Sequence, residues 1–195
     1  LLSIGGNPFA HCDKLTQIQV SPDHSTLVTI NGVLFNKAEK ELICYPYAFM
    51  QESYTVPCGI TSIGNNAFYE CSSLTSITLP DSLTTIEAWA FSGCESLESI
   101  TLPGSPTCIR NWAFSGCKSL ASIALPNSLT TIGNGAFAGC ESLTNITLPS
   151  SLTTIGNWAF ESCSVSLSFT VVRGSWAENW CKENEKNYTY SNSID

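Results

Sequence analysis

Basic side chains are scarce in this 195-residue chain, which has 8 Lys and Arg residues against 16 Asp and Glu residues and a net charge of −8. It contains no basic run and no patch in which basic and aromatic residues alternate. Contacts to a phosphate backbone therefore have no evident donors. We expect no nucleic-acid partner.

Long apolar runs are also missing, because none reaches the roughly 18 residues that a membrane-spanning helix needs. No charged-then-apolar leader opens the chain either. The sequence begins in the middle of a pattern, so we interpret it as a mature or excised fragment. We expect no membrane insertion of this fragment.

Catalytic and metal-binding signatures are absent. The chain has no Gly-rich phosphate loop, no G-x-S-x-G, no H-E-x-x-H and no paired C-x-x-C. A metal site of His11, Cys12 and His24 is conceivable, as is a nucleophile pair of Cys12 or Cys58 with His24. His11 is more simply interpreted as a solvent-facing turn residue, since the two histidines lack ligand spacing. We expect no enzyme activity, no cofactor and no bound metal.

Repetition is what the chain does contain. The 23-residue stretch that begins at Ile63 recurs from Ile86, Ile109, Ile132 and Ile155. A period of this length is typical of a solenoid, in which stacked copies share one core. The constant positions are apolar or small and are, in the first regular copy, Ile63, Ala67, Phe68, Cys71, Leu74, Ile77, Leu79 and Leu83. Function must then lie in the variable positions between them.

Each copy combines three local patterns. Leu-x-x-Ile-x-Leu-Pro alternates apolar and polar residues as a half-buried strand does, and the proline ends the strand. Thr-Thr-Ile, as at 84–86, predicts a second short extended segment. Ala-Phe-x-x-Cys, as at 90–94, predicts a tight helical turn with one aromatic anchor in the core.

The ends and one insertion depart from this period, although we expect a single domain over residues 1–195. Residues 4–20 match the repeat and form its first copy, 21–62 hold an insertion and a degenerate repeat, 63–162 are regular repeats, and 163–195 are a C-terminal cap. Asn31-Gly32 between β-prone runs predicts a hairpin that projects from the sheet or extends it. In the cap we expect a last strand around Phe169, a short helix capped by Ser175 and a final strand with Tyr188 and Tyr190.

The helix would place Trp176 and Trp180 on one face, where we interpret them as residues that cover the core rather than as a ligand site.

Six of the ten cysteines recur at one position of the repeat, and they are Cys12, Cys71, Cys94, Cys117, Cys140 and Cys163. In stacked copies their side chains would form a buried column of small, reduced residues, because parallel Cβ vectors disfavour disulfides between neighbours. The remaining cysteines lie outside this column and are not paired by the sequence; they are Cys44, Cys58, Cys108 and Cys181.

The whole pattern Leu-x-x-Ile-x-Leu-Pro-x-x-Leu-x-x-Ile-Gly-x-x-Ala-Phe-x-x-Cys resembles the BspA-like (Treponema pallidum type) leucine-rich-repeat family. The insertion Asn-Gly-Val-Leu-Phe-Asn-Lys at 31–37 and the tail at 174–184 share the resemblance. It implies an α+β repeat solenoid: a leucine-rich-repeat horseshoe or arc with one parallel-sheet strand per 23-residue repeat, a hairpin insertion and a helical cap. It also implies a cell-surface or secreted protein that binds proteins, including adhesion to host or extracellular proteins.

Two rows of variable positions are the candidate binding sites. The first is the outward side of the strands, which we expect on the concave side of the solenoid, and its candidates are Ser76, Thr78, Ser99, Thr101, Ser122, Asn145 and Thr147. Small polar side chains are equally what any solvated strand carries. The second row precedes the Ala-Phe pair, where three of five copies have tryptophan: Trp89, Trp112 and Trp158. These could form an exposed aromatic patch for a protein or a glycan, or lie flat over the core. A passive spacer or stalk is the remaining alternative.

Overall fold

The chain forms a β-solenoid of stacked 23-residue turns in a computed structural model that describes residue 4 and residues 6–191. Its strands are β1 Leu27–Ile30, β2 Val33–Asn36, β3 Glu41–Cys44, β4 Ser53–Thr55, β5 Ser62–Ile63, β6 Ser76–Thr78, β7 Thr85–Ile86, β8 Ser99–Thr101, β9 Cys108–Ile109, β10 Ser122–Ala124, β11 Thr131–Ile132, β12 Asn145–Thr147, β13 Thr154–Ile155, β14 Ser168–Val171 and β15 Tyr188–Tyr190. One helix, α1, spans Trp176–Glu183, and a short 3-10 turn spans Tyr47–Phe49.

Each regular repeat contributes a strand to two separate sheets. The first sheet has the order β1-β2-β3-β5-β7-β9-β11-β13, the second β4-β6-β8-β10 and the third β12-β14-β15. Pairing between repeats is parallel and keeps a register of one period, as in Ser76 with Ser99. The predicted leucine-rich-repeat solenoid is thus confirmed, and the Thr-Thr-Ile segment forms its own parallel ladder.

The Ala-Phe-x-x-Cys segment contains no helix, contrary to the prediction of a tight helical turn. Its hydrogen bonds run from residue i to i−3, as in Ala90 N to Glu87 O over 3.3 Å and Cys94 N to Phe91 O over 3.2 Å. Two positions of every copy have positive φ, for example 61° at Trp89 and 75° at Gly93. Because left-handed residues interrupt a right-handed helix, the segment is a series of tight turns.

Two columns of side chains fill the core. Tyr45, Phe68, Phe91, Phe114, Phe137 and Phe160 stack with ring centroids 5.0 to 5.5 Å apart. Beside them each column cysteine donates its thiol hydrogen to the carbonyl of the aromatic residue one copy earlier, as Cys94 does to Phe68 over 3.1 Å. The predicted cysteine column is therefore present from Cys71 to Cys163.

Cys12 is the exception, because its side chain is exposed rather than buried in the column. Residues 4–12 do stack on the next turn as an ordinary copy does, with Asn7 N donating to Asn65 O over 2.9 Å. Within the described residues, however, no earlier copy precedes them to supply a carbonyl and a covering side chain. The prediction for Cys12 is therefore wrong, although its alignment with the repeat is right.

The insertion extends the first sheet, as one of the two predicted arrangements. Ile30 pairs with Val33 across a two-residue turn in which Asn31 and Gly32 have φ of 51° and 83°. β3 then pairs parallel with β5, which joins the hairpin to the solenoid. All four residues of β2 are buried, because the main core covers one face and a smaller apolar cluster of residues 4–20 covers the other.

The C-terminal cap closes the third sheet. Phe169 and Val171 of β14 are buried, and β15 pairs parallel with β14 so that it occupies the sheet edge. Ser175 caps α1, as predicted, by accepting a hydrogen bond from Glu178 N over 3.2 Å. Trp180 packs against Phe169 at 5.7 Å between ring centroids, whereas Trp176 is 38% exposed. Trp176 does not cover the core because the buried face of α1 is formed by Ala177, Glu178 and Cys181.

Candidate functional site: a strand face and a tryptophan row

The strand face comprises the exposed first and third residues of β6, β8, β10 and β12. The middle residue of each strand is an isoleucine that points into the core, which leaves its two neighbours on the outside. All seven predicted residues of the first row lie on this face and are exposed: Ser76, Thr78, Ser99, Thr101, Ser122, Asn145 and Thr147. Parallel register brings the equivalent residues of adjacent strands side by side.

The face is divided between two sheets. β10 lies next to β12, yet the two belong to different sheets. Asn145 is turned towards the other side, where its Nδ2 donates to Thr170 Oγ1 over 3.3 Å. The structure therefore groups Ser76 to Ser122 on one sheet and places Asn145 and Thr147 on another.

A shallow cavity of about 350 Å³ lies on the strand face. It is lined by Ser76, Thr78, Ser99 and Thr101, together with Asp81 at the turn after β6. Asp81 was not among the predicted residues. The sequence does contain a signal for it, because the equivalent turns read Gly104, Asn127 and Ser150, so that Asp81 is the acidic variant.

The acidic character extends along this part of the face. Glu52 and Glu98 precede β4 and β8 and are exposed. No Lys or Arg occurs in residues 41–109 of the sequence. The second sheet therefore presents hydroxyl groups flanked by carboxylates.

The tryptophan row adopts left-handed backbone conformation at every copy. Its members have φ between 57° and 61°: Asn66, Trp89, Trp112, Gly135 and Trp158. Asn and Gly tolerate this conformation most readily, whereas a tryptophan needs compensating contacts. Those contacts are present in the middle of the row, where Trp89 and Trp112 stack with ring centroids 5.3 Å apart.

Gly135 is required by its neighbour, since a Cβ there would lie 2.3 Å from Cε3 of Trp112. The Trp112 ring therefore lies over the next copy and is only partly exposed. Trp89 is 38% exposed and Trp158 is 60% exposed. The row thus forms a stacked pair and one separate tryptophan rather than one continuous patch.

The thiols of the core column are poor nucleophiles. Burial raises the pKa of Cys94 and Cys117 well above the usual value. His24 accepts backbone hydrogen bonds through Nδ1 from Thr26 and Leu27. Across residue 4 and residues 6–191, no group of three or more His, Cys, Asp and Glu side chains could hold a metal ion. No helix in that part of the chain is long and apolar enough to cross a membrane.

Comparison with known proteins identifies the family. The family model described as the BspA type leucine rich repeat region matches residues 41–166 in six copies. The match covers more than half of the sequence. The chain belongs to the BspA-type leucine-rich-repeat family, whose members are typically protein-interaction modules.

Several solved structures are similar to it. A T. pallidum leucine-rich-repeat protein is 38% identical with a TM-score of 0.60, over 62% of this chain and 59% of that one. A leucine-rich cell surface protein from Faecalibacterium prausnitzii is 33% identical with a TM-score of 0.79, over 97% of this chain and 45% of that one. The pneumococcal vaccine antigen PcpA, at 22% identity and a TM-score of 0.76 over 90% of this chain and 50% of that one, shares the fold.

This chain thus spans about half the length of these structures. No curated protein matches it.

Proposed function

We propose that this chain is a non-enzymatic protein-binding module of a cell-surface or secreted protein, and that the strand face of its second sheet is the contact surface. The observation that carries this proposal is the set of adjacent strands β6, β8 and β10, whose outward side chains are all exposed. Extended surfaces of this kind are what solenoids use to bind partners. The similarity to a protein described as a cell surface protein supports the location.

The partner we propose is an extracellular protein with a basic surface, including host proteins in an adhesive role. Asp81, Glu52 and Glu98 surround hydroxyl side chains on this face, and residues 41–109 contain no Lys or Arg to oppose a basic partner. Complementary charges steer association and raise its rate, especially at low salt. Small side chains also let a partner approach the strands closely.

The test is binding of the chain to an immobilised panel of extracellular-matrix and serum proteins at two salt concentrations. Ser99→Lys/Thr101→Lys should abolish binding, because it places two positive charges at the centre of the face. Ser105→Lys/Thr107→Lys is the matched control, since both residues are exposed, lie before β9 of the first sheet and receive the same charge. Equal loss in both variants, or no binding by the unmodified chain to any protein of the panel, would refute the proposal.

The passive spacer and glycan binding along the tryptophan row are the alternatives. A spacer predicts no partner and no effect of either double variant. Glycan binding along the row predicts that Trp89→Asn and Trp112→Asn remove binding to a glycan array. The stacking of Trp89 on Trp112 favours neither, because it leaves each ring only partly accessible.

A further inference from the structure

A cavity of about 540 Å³ lies between the last regular repeat and the cap helix, and we name it the cap pocket. Trp158, Phe160 and Glu161 line it from the repeat, while Trp180, Asn184 and Lys186 line it from α1 and the residues that follow. Its size falls within the range of about 300–1,000 Å³ that is usual for small-molecule sites. The strand face shares none of these residues.

Trp158 offers an uncovered aromatic face to this pocket. In the preceding copies the Trp89 ring stacks on Trp112, and the Trp112 ring lies over Gly135. The position one period after Trp158 is Cys181, which lies within α1 instead of a repeat turn. The ring therefore has no stacking partner among the described residues and is 60% exposed.

The fold does not require tryptophan at this position. The equivalent residues Asn66 and Gly135 have φ of 57° and 59°, the same backbone conformation as Trp158 at 57°. A large aromatic side chain in left-handed conformation is strained, and strain of this kind collects at functional sites. Exposure and strain together indicate that Trp158 is retained for its ring.

Polar groups surround the ring. Asn134 N donates to Asn111 Oδ1 and Asn157 N donates to Asn134 Oδ1, each over 2.9 Å, so that a ladder of asparagines ends at Asn157. In residues 6–191 the Asn157 side chain itself has no hydrogen-bond partner. Asn184 uses its Nδ2 to donate to Trp180 O over 2.9 Å and keeps its Oδ1 available. Glu161 and Lys186 add one charge of each sign, which cancel.

We propose that the cap pocket binds a neutral pyranose residue of a glycan. The C–H groups on one side of a pyranose ring pack on a flat aromatic surface, and its hydroxyls need several donors and acceptors close by. Asn157, Asn184, Glu161 and Lys186 supply both kinds, and their summed charge is zero, which favours an uncharged ligand. This inference is independent of the protein-binding proposal, because it concerns a different surface.

The test is titration of the chain with methyl glycosides of glucose, galactose, mannose and N-acetylglucosamine, followed by the indole N–H signals of its tryptophans in NMR spectra. At least one glycoside should cause saturable shifts of the Trp158 and Trp180 signals. Trp158→Asn, which copies Asn66, should weaken binding of that glycoside about tenfold or more without changing the melting temperature. Asn157→Ala should weaken it as well.

Trp89→Asn is the matched control, since it makes the same change in the same row outside the cap pocket. Its affinity should stay within about twofold of the unmodified chain, well below the tenfold effect expected in the pocket. The proposal is overturned if no glycoside gives a saturable shift, if Trp158→Asn binds as tightly as the unmodified chain, or if Trp89→Asn loses as much affinity as Trp158→Asn.

Discussion

The thiol of Cys117 donates a hydrogen bond to the carbonyl oxygen of Phe91 over 3.2 Å. Cysteine at this position therefore has two roles: it fills a fully buried site, and it adds a donor that joins one turn of the solenoid to the turn before it. Alanine would fill less of the site and supply no donor. The recurrence of cysteine has a structural reason that involves no disulfide and no metal.

Replacement of Cys117 by alanine should lower the free energy of unfolding by about 1–2 kcal/mol, the sum of a small cavity and a lost weak hydrogen bond. Urea denaturation measures the change. Cys58→Ala is the control, because Cys58 is exposed, and it should change stability by less than about 0.5 kcal/mol. Equal effects of the two substitutions would show that the column contributes nothing.

Thiol labelling should divide the cysteines by position. Cys12 and Cys58 are exposed and should react within a brief exposure to iodoacetamide at neutral pH. Cys94 and Cys117 should stay unmodified until the chain unfolds, since burial both blocks access and raises the thiol pKa. Peptide mass spectrometry identifies the labelled residues. Rapid labelling of Cys117 in the folded chain would contradict the stacked core.

The sequence predicts the features that repeat and misses those that depend on neighbours. The position of Cys71 in the core follows from its recurrence, and the Asn31-Gly32 turn follows from the φ values that those residues favour. The exposure of Cys12 cannot be found in this way, because burial in a solenoid requires an adjacent copy on that side. Trp176 was misplaced because a helical wheel does not define which edge of α1 meets the core.

The candidate sites are predictable to a similar degree. Alternation in each strand suffices to place Ser99 and Thr101 on the outside. The stacking of Trp89 on Trp112, by contrast, depends on ring orientation, and the cap pocket depends on how α1 packs against the last repeat. Neither is encoded in the spacing of residues along one copy.

The close approach of Trp112 to Gly135 makes a prediction that separates steric contact from backbone strain. Gly135→Ala should destabilise the chain by about 2–4 kcal/mol, because the new Cβ would both lie against the indole ring and occupy a left-handed conformation. Gly139→Ala should cost only about 1–2 kcal/mol, since φ is 74° there but the nearest atom to a Cβ is 3.6 Å away. Thermal unfolding measures both changes.

Shortening the tryptophan provides the second part of that test. Trp112→Asn should reduce the cost of Gly135→Ala to that of Gly139→Ala, because the ring is removed and the backbone strain remains. A cost for Gly135→Ala that is unchanged in the Trp112→Asn background would show that the ring is not the cause.

The cap should lose stability in acid through Glu178. Its carboxylate accepts hydrogen bonds from Gly174 N over 2.6 Å and from Tyr190 Oη over 2.9 Å, and it pairs with Lys182 Nζ at 2.6 Å. The ion pair with Lys182 and these hydrogen bonds lower its pKa from 4.5 to about 2. Because the pKa is lower in the folded chain, the stabilisation is complete above pH 4.5 and is lost as the pH falls towards 2.

Glu178→Gln should therefore reduce stability at neutral pH, and the difference from the unmodified chain should shrink between pH 4.5 and 2. Melting temperatures recorded across this pH range give the difference directly, so that the titration of other carboxylates cancels. Glu183→Gln changes an exposed residue of the same helix and should leave the melting temperature unaltered at every pH. If the difference between Glu178→Gln and the unmodified chain stays constant down to pH 2, the charge of Glu178 does not hold α1 and β15 together.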